Sequence, residues 1–195
     1  DVNTIDKIIK YHEHLKELEN KGIQTIDLVV VNLYPFSQDP GIELMDIGGP
    51  AMVRAAAKNF HSVGVVVDPL KYGSIIDEIR EKGNLTLETR QDLARDAFAH
   101  TASYDAEIVS WFDDKQEELP KSIHISIERV GELRYGENPH QVGARYRFSN
   151  ETSWWDEAII HGGKPMSYLN VFDAEAAWKI VNKLGDEPSA VVVKH

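Results

Sequence analysis

The chain has 195 residues, a formal net charge of −11 and no cysteine. The lack of cysteine excludes disulfides, thiolate metal sites and a cysteine nucleophile, and it fits a reducing, cytoplasmic compartment. The acidic balance argues against general binding to nucleic acid or to anionic membranes, and no apolar run approaches the ~20 residues of a membrane span.

The first half of the chain alternates predicted helices and strands. Hydrophobic spacing predicts a helix over residues 5–21. Two runs rich in β-branched residues, at 26–34 and 63–67, predict strands that are covered on both faces of a parallel sheet. The further helices are predicted at residues 50–59, 70–82, 87–100 and 105–112. This alternation indicates an open, mostly parallel α/β sheet with flanking helices.

The segment 46–59 carries the strongest functional signal. Gly49 at the cap and Pro50 at the first helical position predict a helix start, whose free N–H groups and dipole suit an anionic ligand. Arg54 and Lys58 lie one turn apart, a like-charge pair that costs roughly 0.2–0.5 kcal/mol in an isolated helix. The opposite side carries an apolar stripe, which consists of Val53, Ala56, Ala57 and Phe60. We expect the stripe to pack and the charges to face a site.

Polar residues follow the two predicted strands at their carboxyl ends, where open α/β sheets bind ligands. Asn32 and Tyr34 follow the first strand, and Asp68 follows the second. Asp46 and Gly48 begin the helix between them. The sequence therefore predicts a polar cluster around one crevice.

The charged, turn-prone segment 113–121 marks a change in the character of the chain. After it the sequence predicts short strands near 123–130 and 144–148, a loop at 134–140, and a helix from about 174 to 184. A domain boundary near residues 130–133 is the simplest account, which gives domains 1–131 and 132–195.

Five motifs occur in order along the chain. They are Asn32–Phe36, Asp46–Asn59, Leu133–Gln141, Lys164–Asn170 and Lys194–His195. With them, the chain resembles the bifunctional purine biosynthesis family, AICAR transformylase/IMP cyclohydrolase, over essentially its whole length. The resemblance implies that residues 1–131 are the later part of a cyclohydrolase domain with a methylglyoxal-synthase-like fold. Residues 132–195 would begin a transformylase domain with a cytidine-deaminase-like α/β fold.

The resemblance has two departures. The family's early phosphate-binding loops have no counterpart in this sequence, so half of the nucleotide pocket is expected to lie outside it. The connection from Phe36 to Asp46 is also shorter than the family's helix-containing connection, so either this homologue is shorter there or residues are missing from the sequence. We therefore expect the chain to be a fragment of a longer protein.

For the cyclohydrolase, the resemblance implies dehydrative ring closure of FAICAR, the formylated form of the ribonucleotide AICAR, to IMP. It implies Lys58 as the proton donor and acceptor, assisted by Asp46 and Tyr34. It also implies a set of nucleotide contacts, which are Val31, Asn32, Ile47, Gly48 and Gly49. No cofactor and no metal ion are expected for this step.

For the transformylase, the resemblance implies transfer of a formyl group from the cosubstrate 10-formyltetrahydrofolate to AICAR. His195 would be the base, which suits a side chain with an unperturbed pKa of about 6.5, and Lys194 would stabilise the transition state. Arg134, Tyr135 and Asn170 would contact AICAR. Family members form this site across a homodimer, with folate contacts farther downstream, so we expect a homodimer and no formyl transfer by this chain alone.

Structural interpretations stay open for several of these residues. Tyr34 could cover a strand end, Asp46 could make local backbone bonds at the helix start, and Lys58 could be a solvated surface cation. Arg134 and Tyr135 could be turn residues. Scattered histidines without metal-ligand spacing and three tryptophans are expected to be structural or exposed. They are His12, His61, His100, His124, His161, Trp154, Trp155 and Trp178.

Two other functions stay open for the chain as a whole. One is a non-catalytic, methylglyoxal-synthase-like regulatory module that binds a nucleotide. The other is an oligomerisation fragment without a ligand. The segment 134–141 followed by Lys194 and His195 favours the enzyme, because a regulatory module has no use for these residues.

Overall fold

The computed structural model describes residues 13–114, 119–149 and 151–194. The chain forms two compact units, which divide between Ser122 and Ile123. The predicted domain boundary between residues 131 and 132 falls inside a strand of the second unit, Ile127–Leu133. The assignment of residues 1–131 and 132–195 to two enzyme domains stays a prediction.

The first unit combines a small parallel sheet with helices, which confirms the α/β class. Helix α1 is described over residues 13–20. Strands β1 (Leu28–Val30) and β2 (Gly64–Val66) pair in parallel. The remaining helices are α2 (Gly48–Lys58), α3 (Tyr72–Lys82) and α4 (Leu87–Asp113). The two helices predicted at 87–100 and 105–112 are one, because no glycine or proline interrupts the segment.

The core lies on both sides of β2, whose three residues are all buried. Val65 packs in a cluster with residues of α2 and α4, whereas Val66 packs with Ile75 of α3 and Leu93 of α4. Strand β1 is less covered than predicted, since Val30 is 50% exposed. Within the described residues, the prediction of burial on both faces therefore holds for β2 and is wrong for β1.

Helix α2 packs as its apolar stripe predicts. Val53, Ala56 and Ala57 are buried in the core cluster, and Phe60 packs against it. Arg54 and Lys58 lie on the exposed side. The helix begins at Gly48, so Pro50 is its third residue instead of its first. Proline is tolerated there because the N–H groups of the first helical turn have no intrahelical partner.

The second unit contains an antiparallel pair of strands and two helices. Strands β3 (Ile127–Leu133) and β4 (Gly143–Phe148) pair with an irregularity between Arg129 and Gly131. Helices α5 (Trp154–Glu157) and α6 (Tyr168–Val181) follow. Helix α6 begins six positions before the predicted start near residue 174, because Ser167 and Asn170 form a capping box there. Among the described residues, no helix has both the length and the apolar content that a membrane crossing requires.

Candidate functional site

The start of α2 is held by the side chain that precedes it. The Asp46 carboxylate accepts the Gly49 N–H at 2.7 Å, so the acidic residue satisfies one of the free donors of the helix start. A side chain at Gly49 would meet that carboxylate, and its Cβ would lie 2.8 Å from Cδ2 of Leu33. A Cβ at Gly48 would meet nothing within 4 Å. Of the two glycines, the packing requires only Gly49.

A tyrosine of α4 connects this helix start to the rest of the unit. The Tyr104 hydroxyl donates to the Leu44 carbonyl at 2.8 Å and accepts the Asp46 N–H at 2.8 Å. Tyr104 is 5% exposed, and both hydrogen bonds are partly buried. The sequence did not indicate this residue as part of a site.

A cleft of about 330 Å³ lies beyond the carboxyl ends of β1 and β2. Two predicted site residues, Asn32 and Tyr34, line it, and Tyr34 is 54% exposed. The Asn32 side-chain carbonyl also accepts a hydrogen bond of 3.2 Å from the Tyr72 hydroxyl. A cleft is therefore present at the strand ends, with a phenol and an amide in its wall. The other members of the predicted polar cluster, Asp46, Gly48 and Asp68, are not among the residues that line it.

Helix α4 supplies a polar wall of the same cleft, which the sequence did not predict. The wall residues are His100, Ser103, Tyr104 and Glu107. Their spacing of three, four and seven positions places them on one helical face. This spacing is the sequence signal that could have predicted the wall. Two alanines that precede it on the helix, Ala94 and Ala97, are buried, which is consistent with an inward-facing side.

The cations of α2 lie in different surroundings. The Arg54 guanidinium carbon lies 5.5 Å from the centroid of the Phe98 ring. Arg54 therefore makes a cation–π contact within the unit, which gives one of the two cations a structural role. Lys58 is the last residue of α2 and is exposed. Within the described residues it makes no hydrogen bond or ion pair with Tyr34 or Asp46, and its reach toward them stays a prediction.

In the second unit, the loop between β3 and β4 contains the segment 134–141. The Gly136 N–H donates to the Gln141 carbonyl at 2.9 Å, and the Asn138 N–H donates to the Gln141 side chain at 2.8 Å. Gly136 is buried, and a Cβ there would lie 3.0 Å from Cβ of Gln141. The loop is thus fixed by its own backbone and by one glutamine.

Two backbone hydrogen bonds join this loop to the start of α6. The Arg134 N–H donates to the Met166 carbonyl at 2.8 Å, and the Tyr168 N–H donates to the Tyr135 carbonyl at 3.1 Å. Two sequence motifs about thirty positions apart, Leu133–Gln141 and Lys164–Asn170, therefore lie side by side. This adjacency brings Arg134, Tyr135 and Asn170 into one region of the unit.

Arg134 and Tyr135 form a cationic and aromatic pair. The guanidinium carbon lies 4.9 Å from the centroid of the Tyr135 ring, and a guanidinium nitrogen donates to the phenol oxygen at 3.2 Å. A hydrogen bond from Ser167 lowers the pKa of the Tyr135 phenol, and the Arg134 hydrogen bond and charge lower it further. The pair offers an anionic heterocycle a stacking plane together with hydrogen-bond donors.

Asn170 caps helix α6. Its side-chain oxygen accepts the Ser167 N–H at 3.1 Å and lies 3.1 Å from the Ser167 hydroxyl oxygen, and Ser167 is 2% exposed. Because that oxygen already serves the cap, a contact with a ligand falls to the amide NH₂ group of Asn170.

Comparison with known proteins accounts for this set of motifs. Residues 56–195 match the family model described as AICARFT/IMPCHase bienzyme, which is more than half of the chain. The chain belongs to the AICARFT/IMPCHase bienzyme family. Relatives named bifunctional purine biosynthesis protein PurH are 47% identical in Persephonella marina and 45% identical in Halalkalibacterium halodurans, each over 94% of this chain.

The chain spans only 38% of the length of those two relatives. The solved structure described as "Crystal structure of ForH" is 40% identical, covers 50% of this chain and 56% of that chain, and superposes with a TM-score of 0.45.

The structure places the remaining residues that the family resemblance implied. Val31 is half-buried, and its N–H donates to the Val66 carbonyl at 3.0 Å, so only its carbonyl remains for a backbone contact with a nucleotide. Ile47 and Gly48 are exposed at the start of α2. Lys194 is exposed, and His195 lies outside the described residues.

Proposed function

We propose that this chain is part of a bifunctional enzyme that catalyses the last two steps of purine nucleotide biosynthesis. In the first step a formyl group passes from 10-formyltetrahydrofolate to AICAR, which gives FAICAR. In the second step FAICAR closes to IMP with loss of water. Family membership over residues 56–195 carries this proposal, and the cleft that contains Asn32 and Tyr34 supports it.

For ring closure, we place the nucleotide against Asn32, Tyr34 and the exposed backbone of Ile47 and Gly48. The carboxamide nitrogen of FAICAR attacks the formyl carbon and loses one proton, and the formamido nitrogen loses a second as the ring C=N bond forms. The formyl oxygen gains both protons and leaves as water. Tyr34 is an exposed phenol, which can donate to the developing oxyanion.

Lys58 is the proposed group that moves the protons of ring closure. It lies at the far end of an 11-residue helix, which spans about 16 Å at 1.5 Å per residue. Helical side chains lean toward the amino terminus, so Lys58 must extend along α2 to reach the nucleotide. Asp46, at the helix start, supplies a negative charge that would assist these proton transfers.

For formyl transfer, we propose that Arg134 and Tyr135 bind AICAR and that Asn170 orients it. His195 would take the proton from the 5-amino group as that nitrogen attacks the formyl carbon, and Lys194 would stabilise the oxyanion. The bond from the formyl carbon to the folate nitrogen then breaks, and tetrahydrofolate leaves with a proton on that nitrogen. The adjacency of the loop 134–141 and the start of α6 supports a shared binding region. Folate contacts and a homodimer stay predictions from the family resemblance.

The finer fold assignments belong to the same proposal. We assign the first unit to a methylglyoxal-synthase-like domain and the second to the opening of a cytidine-deaminase-like domain. The parallel pairing of β1 and β2 with flanking helices supports the first assignment. A cytoplasmic location is proposed as well, and the absence of cysteine in the sequence supports it.

The test uses a full-length protein that carries this segment, because the relatives are longer. Ring closure of FAICAR is followed by absorbance in the wild type, in Lys58→Ala and in the control Lys16→Ala, which replaces another exposed lysine. We expect Lys58→Ala to lower kcat for closure by about 100-fold, the scale of a lost general acid–base group. Formyl transfer should remain unchanged in both variants.

Two outcomes would contradict the proposal. Undiminished closure in Lys58→Ala would remove Lys58 from the mechanism. A wild-type protein that binds IMP but catalyses neither step would instead support the regulatory nucleotide-binding module.

A further inference from the structure

The loop that leads into α2 is held from two directions. Toward the helix, the Asp46 carboxylate binds the Gly49 N–H at 2.7 Å. Toward α4, the Asp46 N–H and the Leu44 carbonyl both bind the hydroxyl of Tyr104, each at 2.8 Å. One hydroxyl therefore satisfies a donor and an acceptor of the same loop, and the backbone of residues 44–46 has its position fixed relative to α4.

The ring that carries this hydroxyl is itself fixed. Tyr104 is buried, and its ring lies edge-on to Phe36 with the centroids 6.2 Å apart. Phe36 is 1% exposed and makes a second edge-on contact with Trp111, at 6.0 Å. Tyr104 and Trp111 lie on the same helix, so Phe36 is held between two rings of α4. A rigid element thus aims the hydroxyl at the loop.

We propose that Tyr104 is a positioning residue for ring closure. It acts through the 44–46 loop and sets where Asp46, Ile47 and Gly48 lie relative to the cleft that contains Asn32 and Tyr34. This proposal rests on the function proposed above and adds to it a residue outside the family-derived site set. Because a misplacement of about 1 Å can cost on the order of 100-fold in rate, a single hydroxyl at this point controls the geometry of the site.

Replacing Tyr104 by phenylalanine separates the contribution of the hydroxyl from that of the ring. Removing the hydroxyl leaves the ring contact with Phe36 in place, yet it leaves a partly buried N–H and a partly buried carbonyl without their shared partner. Buried backbone groups that lose a partner favour a shift of the backbone toward water. Tyr104→Phe should therefore move the loop and leave the hydrophobic packing of α4 intact.

The experiment compares Tyr104→Phe with Leu93→Val in a full-length protein that carries this segment. Leu93 is 3% exposed in the other core cluster and lies on the same helix, so its truncation lowers stability without touching the loop. Three quantities are measured well below the melting temperature of either variant: kcat/KM for FAICAR closure, kcat/KM for formyl transfer, and hydrogen exchange of the Asp46 and Gly49 amides.

For Tyr104→Phe we expect closure to fall about tenfold, the effect of one lost buried hydrogen-bonding group, with formyl transfer unchanged. The Asp46 and Gly49 amides should exchange at least about tenfold faster than in the wild type, because their loop is released. Leu93→Val should lower Tm and leave closure and both amides within about twofold of the wild type, since core truncation acts on global stability.

Unchanged amide exchange in Tyr104→Phe would overturn the proposal, whatever the activity of the protein. Closure by Tyr104→Phe within twofold of the wild type would also overturn it. An equal loss of closure in Leu93→Val would do the same, because lowered stability alone would then explain the loss. If the wild type itself fails to close FAICAR, the proposed function fails. In that case the amide exchange still decides whether Tyr104 holds the loop.

Discussion

The Asp46 carboxylate lies 2.7 Å from the Gly49 nitrogen and accepts its hydrogen bond. The acidic residue before the glycine pair is therefore a cap of α2, which is the structural interpretation that the sequence left open for it. One carboxylate oxygen makes this bond, and the other is free of it. A cap and a proton-transfer partner are thus compatible roles for one side chain, and substitutions can separate them.

Substitution of Asp46 should distinguish its two roles. Asp46→Asn keeps an oxygen that can accept the Gly49 N–H but removes the charge, so we expect stability close to the wild type and a loss of FAICAR closure. Asp46→Ala should lose closure too and should also lower the free energy of unfolding by about 1 kcal/mol, as the removal of helix caps does. Urea unfolding and the closure assay measure the two effects. A rate of FAICAR closure in Asp46→Asn equal to that of the wild type would show that Asp46 only caps the helix.

The two glycines at the start of α2 should respond oppositely to alanine. Gly49→Ala should lower the free energy of unfolding by about 1–3 kcal/mol, because its Cβ meets the Asp46 carboxylate and Leu33. Gly48→Ala should raise it by up to about 1 kcal/mol, since its Cβ meets open space within a helix.

Nucleotide binding provides the second measurement for this pair. If IMP lies against the backbone of Gly48, the added methyl group should weaken IMP binding in calorimetry although it stabilises the fold. Gly48→Ala with unchanged IMP affinity would place the nucleotide elsewhere.

Glu78 should make the first unit sensitive to acid. Its carboxylate accepts the Thr86 N–H at 3.0 Å and the Thr89 hydroxyl at 2.7 Å. The pKa of Glu78 is lowered from 4.5 to about 2, and the largest cause is the hydrogen bond from the Thr86 backbone N–H. A carboxyl with a depressed folded-state pKa stabilises the fold fully above its unfolded value. That contribution is then lost as the pH falls from 4.5 toward 2.

The comparison of wild type with Glu78→Gln tests this pH dependence. The variant should be less stable than the wild type above the unfolded pKa, and the gap should narrow on acidification, as followed by circular dichroism during urea unfolding. Glu81→Gln is the matched control, because Glu81 is an exposed carboxylate on the same helix. A gap that stays constant with pH would contradict the role assigned to the Glu78 charge.

Ser167 should control the acidity of Tyr135. Its hydrogen bond is the largest cause of the lowered phenol pKa, so Ser167→Ala should raise that pKa toward its ordinary value. The pKa is measured by a pH titration of the phenolate absorbance. The titration curve of the same protein with Tyr135→Phe is subtracted, so that only the signal of Tyr135 remains. Arg134→Gln should raise the pKa as well, because both the hydrogen bond and the charge of Arg134 lower it. An unchanged phenol pKa in Ser167→Ala would contradict the assignment.

Much of the fold could be predicted from local patterns. The apolar stripe of α2 follows the helical repeat, and β2 is a continuous run of buried residues. Both pack as predicted. The predicted start of α6, near residue 174, is wrong because the helix begins at a capping pair, Ser167 and Asn170. That pair forms a cap across three positions, which is a local signal and was readable from the sequence.

The sequence by itself determined where the elements form and which motifs identify the family, because periodicity, caps and residue order are local properties of the chain. Only the tertiary structure decided that Tyr104 holds the loop before α2 across 58 positions of sequence. It likewise decided that α4 provides a polar wall of the cleft and that the loop 134–141 lies beside the start of α6. Such relationships depend on hydrogen bonds and packing between distant segments, which no single stretch of sequence encodes.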